Sequence, residues 1–250
     1  MDLNADMGEG FGSWSMGDDS ALLEVVTSAN VACGFHAGDP SIMRRVTSEA
    51  VVRGVAIGAH VGYADKAGFG RRHVDIEPEL LRDEVLYQIG ALDAFARIAG
   101  DRVRYVKPHG ALYNTIGHHV EQATAVVTAV AEYDRTLPVL GLPGSAWLRL
   151  AIEAGLDVVH EAFADRAYTA SGTLVPRNQA GSVLHDADEI AARCTAMATG
   201  RAIRDHAGGS FVVEAASICV HGDTPGAVEI ARRVRGALEG AGVSLRPFTN

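Results

Sequence analysis

The stretch SANVACGFHAGDP, residues 28–40, reads as a strand, a rim and the start of a helix. Val31, Cys33 and Phe35 alternate with Asn30, Ala32, Gly34 and His36, the period of two that a strand imposes on its faces. Asp39-Pro40 then sets a capping carboxylate before a proline suited to a first helical turn. The same unit recurs along the chain. Strands are expected near residues 1–6, 28–35, 55–61, 104–109, 137–142, 157–163 and 217–222, and helices over 18–27, 40–53, 78–99, 119–133, 145–154, 187–206 and 225–240. Glu77-Pro78 and Thr224-Pro225 repeat the helix-start signal, and Gly54, Gly100 and Gly155 fall where C-terminal caps belong. Leu80, Leu81, Val85, Ile89, Leu92 and Phe95 form one apolar stripe on the longest helix.

Strand–helix alternation implies parallel pairing with right-handed crossovers. Seven units without an evident linker predict a closed, TIM-like, seven-stranded parallel (β/α) barrel, with residues 1–250 as one catalytic domain. The C-terminal strand ends of such a barrel form the rim where chemistry collects. His36, His60, His109 and His221 lie at four of these ends, His160 is a weaker fifth, and the first strand ends on Asp6. Parity turns Asn4, Asp6, Asn30, His36, His60, Lys107, His109 and His221 inward. That set is too polar to be only a core, so the upper barrel is expected to be a chemically equipped pocket and the protein an enzyme.

Asp6 and Glu9, in NADMGEGFG, are close enough to split acid and base roles, although the glycines around them also suit a simple turn. Lys107 and His109 share a strand face, an arrangement suited to anion binding or oxyanion stabilisation. Arg71 and Arg72 offer bidentate recognition of a carboxylate or phosphate. Glu161, Asp165 and Arg166 extend the polar rim, with ambiguous parity. Asp39 and Asp223 read mainly as helix caps, and Cys33 and Cys219 as buried, inert thiols. Asp6, His36, His60, Lys107 and His109 are therefore the catalytic candidates. Asn4, Glu9, Arg71, Arg72, Glu161, Asp165 and His221 are the substrate-binding candidates. The long polar segment 164–186 is expected to act as a lid or a partner surface.

Composition narrows the alternatives. Apolar residues make up 48% of the 250, enough for a large core. A net charge of -9 argues against nucleic-acid or anionic-membrane partners. The group Arg232, Arg233 and Arg235 reads as a solvated helix face. Three cysteines without paired spacing suit a reducing compartment, and no apolar run reaches ~18 residues, so a cytoplasmic location is expected. A GxGxxG turn fails at Ser13, and the sequence contains no GxxxxGK[ST] loop, GxSxG elbow, HExxH helix or CxxC pair.

Six blocks together resemble the LamB/YcsF family: DLNADMGEGFG, SANVACGFHAGDP, GAHVGYADKAGFGRR, VKPHGALYN, FADRAYTASGTLVPR and ICVHGDTPGAV. They run in the family's order from Asp2 to Val228, with Val61 standing where the family pattern leads one to expect proline. The resemblance implies a barrel similar to sugar deacetylases and glycoside hydrolases. It also implies the activity of the A component of an ATP-dependent 5-oxoprolinase, which converts 5-oxo-L-proline to L-glutamate with ATP as co-substrate. It further implies allophanate-hydrolase-like B and C partner subunits, which would activate the lactam before this barrel adds water. Two rivals remain open at the level of sequence. One is a metal-dependent, deacetylase-like amidohydrolase holding a divalent ion on Asp6, His36 and His60. The other is a non-catalytic lactam-binding subunit.

Overall fold

The computed structural model describes residues 1–222 and 226–249; the expected Asp223 cap and Thr224-Pro225 helix start lie outside them. The elements in chain order are β1 (Asp2–Met7), α1 (Asp19–Leu23), β2 (Ser28–Ala32), α2 (Pro40–Arg53), β3 (Ala56–Val61), α3 (Pro78–Ala99), β4 (Tyr105–Pro108), α4 (Gly110–Ile116), α5 (Val120–Tyr133), β5 (Val139–Gly141), α6 (Ala146–Glu153), β6 (Val158–Phe163), α7 (Ala187–Ala198), β7 (Ile203–Arg204), β8 (Ser210–Phe211), β9 (Ser217–Val220) and α8 (Ala227–Gly240). Seven of the strands close a parallel barrel in the order β1-β2-β3-β4-β5-β6-β9. Closure is made where Asp2–Ala5 of β1 run in register with Ser217–Val220 of β9.

Local chemistry explains several boundaries. Asp39 accepts from the amides of Ser41 and Ile42 and so caps α2, and Gly54 ends that helix in the left-handed conformation at φ 67°. Glu77, by contrast, precedes Pro78 without a side-chain capping bond. On α3 the stripe Leu81, Val85, Ile89 and Leu92 is fully buried, each side chain contributing ~1.5–3 kcal/mol. Leu80 belongs to the expected stripe but is exposed, because its position falls on the solvent edge of the helix. The expected helix over 187–206 stops at Ala198. Gly200, at φ 69°, turns the chain into the β7–β8 hairpin. Arg233, on the face expected to be solvated, pairs with Asp188 at the surface.

The barrel strands separate two environments. Leu3, Ala5, Ala29, Val31, Ile57, Ala59, Val106, Ile218 and Val220 face the helices and are fully or almost fully buried. The alternate residues face inward. At the bottom, the Asp2 carboxylate accepts from Thr27 Oγ1 at 2.5 Å, from Ser28 Oγ at 2.6 Å and from the Ser217 hydroxyl. Burial raises the Asp2 pKa despite these donors. Tyr105, Leu140 and Ala56 form an apolar plug, with Val159 and Phe248 packed against it. Gly58 is required beside that plug, since a Cβ there would sit 2.2 Å from the Tyr105 ring. Among the described residues no helix is long and apolar enough to cross a membrane.

Candidate active site

The interior column becomes progressively more ionic toward the rim. Asn4 Nδ2 donates to Ser217 Oγ at 2.6 Å, and Asn4 Oδ1 accepts from Asn30 Nδ2 at 2.7 Å and from Lys107 Nζ at 3.2 Å. The Tyr105 hydroxyl donates to Asn30 Oδ1 at 2.6 Å. These groups fix Lys107, whose ammonium lies 3.1 Å from Asp6 Oδ1, 3.2 Å from Glu161 Oε2 and 3.1 Å from Cys219 Sγ. Burial alone would lower the Lys107 pKa, but Asp6, with help from Glu161, holds it well above the ordinary lysine value. Burial likewise acts to raise Asp6, yet His60 and Lys107 outweigh it and keep the carboxyl well below its usual range. Glu161, entirely buried, is raised by desolvation against the opposing pull of Lys107. The two carboxylates around one lysine are thus driven apart in acidity.

Above this pair lie three imidazoles. His60 Nδ1 lies 3.0 Å from the Lys107 carbonyl, and His109 Nε2 lies 2.8 Å from the Phe69 carbonyl. A carbonyl only accepts, so those ring nitrogens carry the protons. The remaining nitrogens, His60 Nε2 and His109 Nδ1, face each other at 3.0 Å. His36 stacks on His109 with ring centres 3.7 Å apart and planes 5° from parallel. Glu9 Oε1 lies 3.3 Å from His36 Nε2, 3.4 Å from His109 Nδ1 and 3.9 Å from His60 Nε2. Burial lowers both His36 and His109 well below the ordinary histidine value, and repulsion among the neighbouring imidazoles adds to it. Phe69, which supplies the carbonyl for His109, is the one non-glycine residue with positive φ among those described, at 53°.

A cavity of about 510 Å³ opens over this floor. Asp6, Glu9, His60, Lys107, His109 and His221 line it together with Arg71, Arg166, Arg177 and Asn178. The segment 164–186 therefore forms a wall of the cavity, folded on itself by bridges between Arg166 and Val183 and between Tyr168 and Leu174. Buried Arg166 donates to the carbonyls of Val175 at 2.6 Å and Ser182 at 3.3 Å, which pins the wall, and burial lowers its pKa to about 10. His221 Nδ1 lies 2.6 Å from Asp165 Oδ1, and Arg177 Nη2 lies 3.0 Å from His221 Nε2. Burial works to raise Asp165, but His221 overrides it and the carboxyl ends below its normal value.

The structure brings Asp6, Glu9, His36, His60, Lys107, His109 and His221 together, and it corrects other expectations. Arg72 turns away and pairs with Asp65 at the surface, because Asp65 caps the short turn at Lys66–Gly68 directly beneath it. Asn4 and Glu161 lie under the cavity floor instead of lining it, and Asp165 sits behind His221. His160 alternates with the inward-facing Glu161 and so faces away from the interior. The groups whose ligand atoms gather within 4.8 Å of one another are Glu9, His36, His60 and His109; Asp6, expected with His36 and His60 as a metal trio, is outside that cluster, its Oδ2 3.4 Å from His60 Nε2. The cause is the left-handed Gly8, at φ 68°, which folds Glu9 back over the barrel mouth, while Asp6 Oδ1 is occupied by Lys107 and Asn30. Tyr113 and Arg177 also line the cavity, and no sequence pattern exposes them: Arg177 lies in an aperiodic loop and Tyr113 on the short helix α4 that follows Pro108-His109.

Comparison with known proteins places this geometry. The LamB/YcsF family model matches residues 1–250. The chain belongs to the LamB/YcsF family. It is 60% identical to the A component of the 5-oxoprolinase of Streptomyces avermitilis and 58% identical to that of Nocardia farcinica, in each case over 99% of both chains. The crystal structure of the lactam utilization protein from Thermus thermophilus superposes with a TM-score of 0.94 at 45% identity, covering 99% of both chains. A putative cellobiose-phosphate cleavage protein from Enterococcus faecalis, 15% identical over 97% of this chain and 95% of the other, shares the fold with a TM-score of 0.55.

Proposed function

We propose that this chain is the ring-opening component of an ATP-dependent 5-oxoprolinase, working in the cytoplasm with B and C partner subunits. Relatives that match it along nearly their full length are named as the A component of 5-oxoprolinase. The observation that carries the reading is the cavity itself, whose lining combines an ionised, lysine-paired carboxylate with three arginines. The partners phosphorylate the lactam oxygen at the expense of ATP. The activated ring, bearing a carboxylate and a phosphoryl group, suits a pocket lined by Arg71 and Arg177 in a protein that is otherwise acidic.

In this reading Asp6 takes a proton from water as it adds to the activated carbon. General-base assistance of this kind supplies ~10²–10⁴-fold in rate. Lys107 keeps Asp6 ionised and stabilises negative charge on the oxygen that water brought as the tetrahedral adduct expels the ring nitrogen; a lost donor of this type costs ~10²–10³-fold. Asp6 returns that proton to the ring nitrogen; the C–N bond then breaks as the added hydroxyl becomes the acyl carbonyl and its proton passes to the nitrogen, freeing the glutamate amine, and a second water releases phosphate from the acyl phosphate. Arg177, braced by His221 and Asp165, holds the substrate carboxylate. The direct test mixes this chain with the B and C partners, 5-oxoproline and ATP, and measures glutamate and phosphate. Glutamate is expected only when all three proteins are present. Release at the full rate without this chain would refute the proposal.

A further inference from the structure

We propose that Glu9, His36, His60 and His109 form a binding site for one transition-metal dication of the zinc class in the floor of the cavity. The first argument is the tautomers. Both outer ring protons, on His60 Nδ1 and His109 Nε2, are committed to backbone carbonyls. With both rings neutral, the inner nitrogens face each other at 3.0 Å with their lone pairs, an arrangement that a cation bound between them relieves. Donation of the distal N–H to a backbone carbonyl is also how metal-bound histidines are oriented and made more basic.

The second argument is spacing. Bonds of 2.0–2.1 Å arranged tetrahedrally put ligand atoms roughly 3.3 Å apart. The separations here are 3.0 Å for His60 Nε2 to His109 Nδ1, 3.3 Å for Glu9 Oε1 to His36 Nε2, 3.4 Å for Glu9 Oε1 to His109 Nδ1 and 3.9 Å for Glu9 Oε1 to His60 Nε2. The third is His36 itself, 1% exposed, with neither ring nitrogen hydrogen-bonded, one of them turned toward this point. A buried imidazole left without hydrogen bonds is costly unless another ligand engages it. Three imidazoles and one carboxylate suit zinc, cobalt, nickel or iron, and not magnesium, which prefers oxygen donors. Because Glu9, His60 and His109 also line the cavity, a bound ion would reach the substrate side, where such ions polarise carbonyls or activate water.

The inference rests on the imidazole geometry and stands apart from the 5-oxoprolinase reading, so its test uses metal binding by the full-length chain. The protein is stripped with a chelator, dialysed against zinc, cobalt or magnesium, and analysed for bound metal and thermal midpoint. About one equivalent of zinc or cobalt per chain is expected, with a raised midpoint and, for cobalt, visible absorption of a four-coordinate site. Magnesium should not be retained. Glu9→Gln and His36→Gln should each lose the bound metal and the metal-dependent midpoint shift, with circular dichroism confirming that they fold. Failure of the folded wild-type chain to retain either transition metal would overturn the proposal. So would full retention by both variants.

Discussion

Lys107 Nζ lies 3.1 Å from Asp6 Oδ1 and 3.2 Å from Glu161 Oε2, a single cation held between carboxylates of two strands inside the barrel. Removing one partner of a buried pair costs ~3–5 kcal/mol, because an uncompensated charge is left behind. Lys107→Met is therefore expected to lose stability of that order in urea unfolding. Adding Asp6→Asn to Lys107→Met should recover part of it. A loss below about 1 kcal/mol, the range of exposed pairs, would mean that water reaches the pair.

The two arginines of separate fate give a binding prediction. Arg177 lines the cavity beside His221, whereas Arg72 is tied to Asp65 at the surface. Hydrogen bonds to charged groups are worth ~1.5–3 kcal/mol, roughly a 10–100-fold change. Arg177→Ala should raise the KM for 5-oxoproline in the reconstituted system by that factor, and Arg72→Ala should leave it within about two-fold. Steady-state kinetics on both variants makes the comparison, and equal effects would contradict this division.

The legibility of the sequence follows the reach of strand parity. Strict alternation placed Lys107, His109 and His60 on the inner face, and all three meet there. It failed in β6, where Val158, Val159 and His160 blur the pattern before Glu161. It also ends where the strand ends. Glu9 lies beyond β1 in a glycine turn, so only coordinates reveal that it, and not Asp6, completes the histidine cluster. Arg177 sits in a segment without period, and its role depends on a contact to His221, 44 residues away. The hairpin of β7 and β8 has only two residues in each strand, too few for a periodic signal.

Two carboxylates distant from the rim should give opposite pH slopes. Asp93 accepts from Tyr133 OH, the Val103 amide and Arg97; burial works to raise its pKa, but these donors leave it below the normal value. Unfolded aspartate titrates near ~3.9, so the stability Asp93 contributes is present above that pH and lost as pH falls through its lower folded pKa. Asp2 is raised by burial, so its contribution is complete below ~3.9 and lost as pH rises through its higher folded pKa. Denaturant titrations from pH 3 to 7 should show Asp93→Asn flattening the acid-side loss and Asp2→Asn removing the decline above it. The same slope change in both variants would contradict the assignment.

Gly58 tests the packing beneath the site. A methyl there would overlap the Tyr105 ring, whose hydroxyl orders Asn30 and, through it, Asp6. Gly58→Ala is expected to cost ~1–3 kcal/mol by overpacking and to lower turnover as the Asn30 bridge shifts. Gly54→Ala, where a Cβ meets open space but φ is 67°, should cost stability alone. Unfolding and rate measurements on both variants separate the effects; unaltered turnover in Gly58→Ala would deny the bridge a role.

The most direct measurement is ATP-dependent glutamate release from 5-oxoproline by the reconstituted three-component system carrying Asp6→Asn in this chain. Near-isosteric asparagine retains the shape of the column but cannot take a proton from water. The account predicts a fall of ~10²-fold or more, the lower bound for a lost general base, with the fold intact by circular dichroism. Glutamate release within a few-fold of wild type would contradict it.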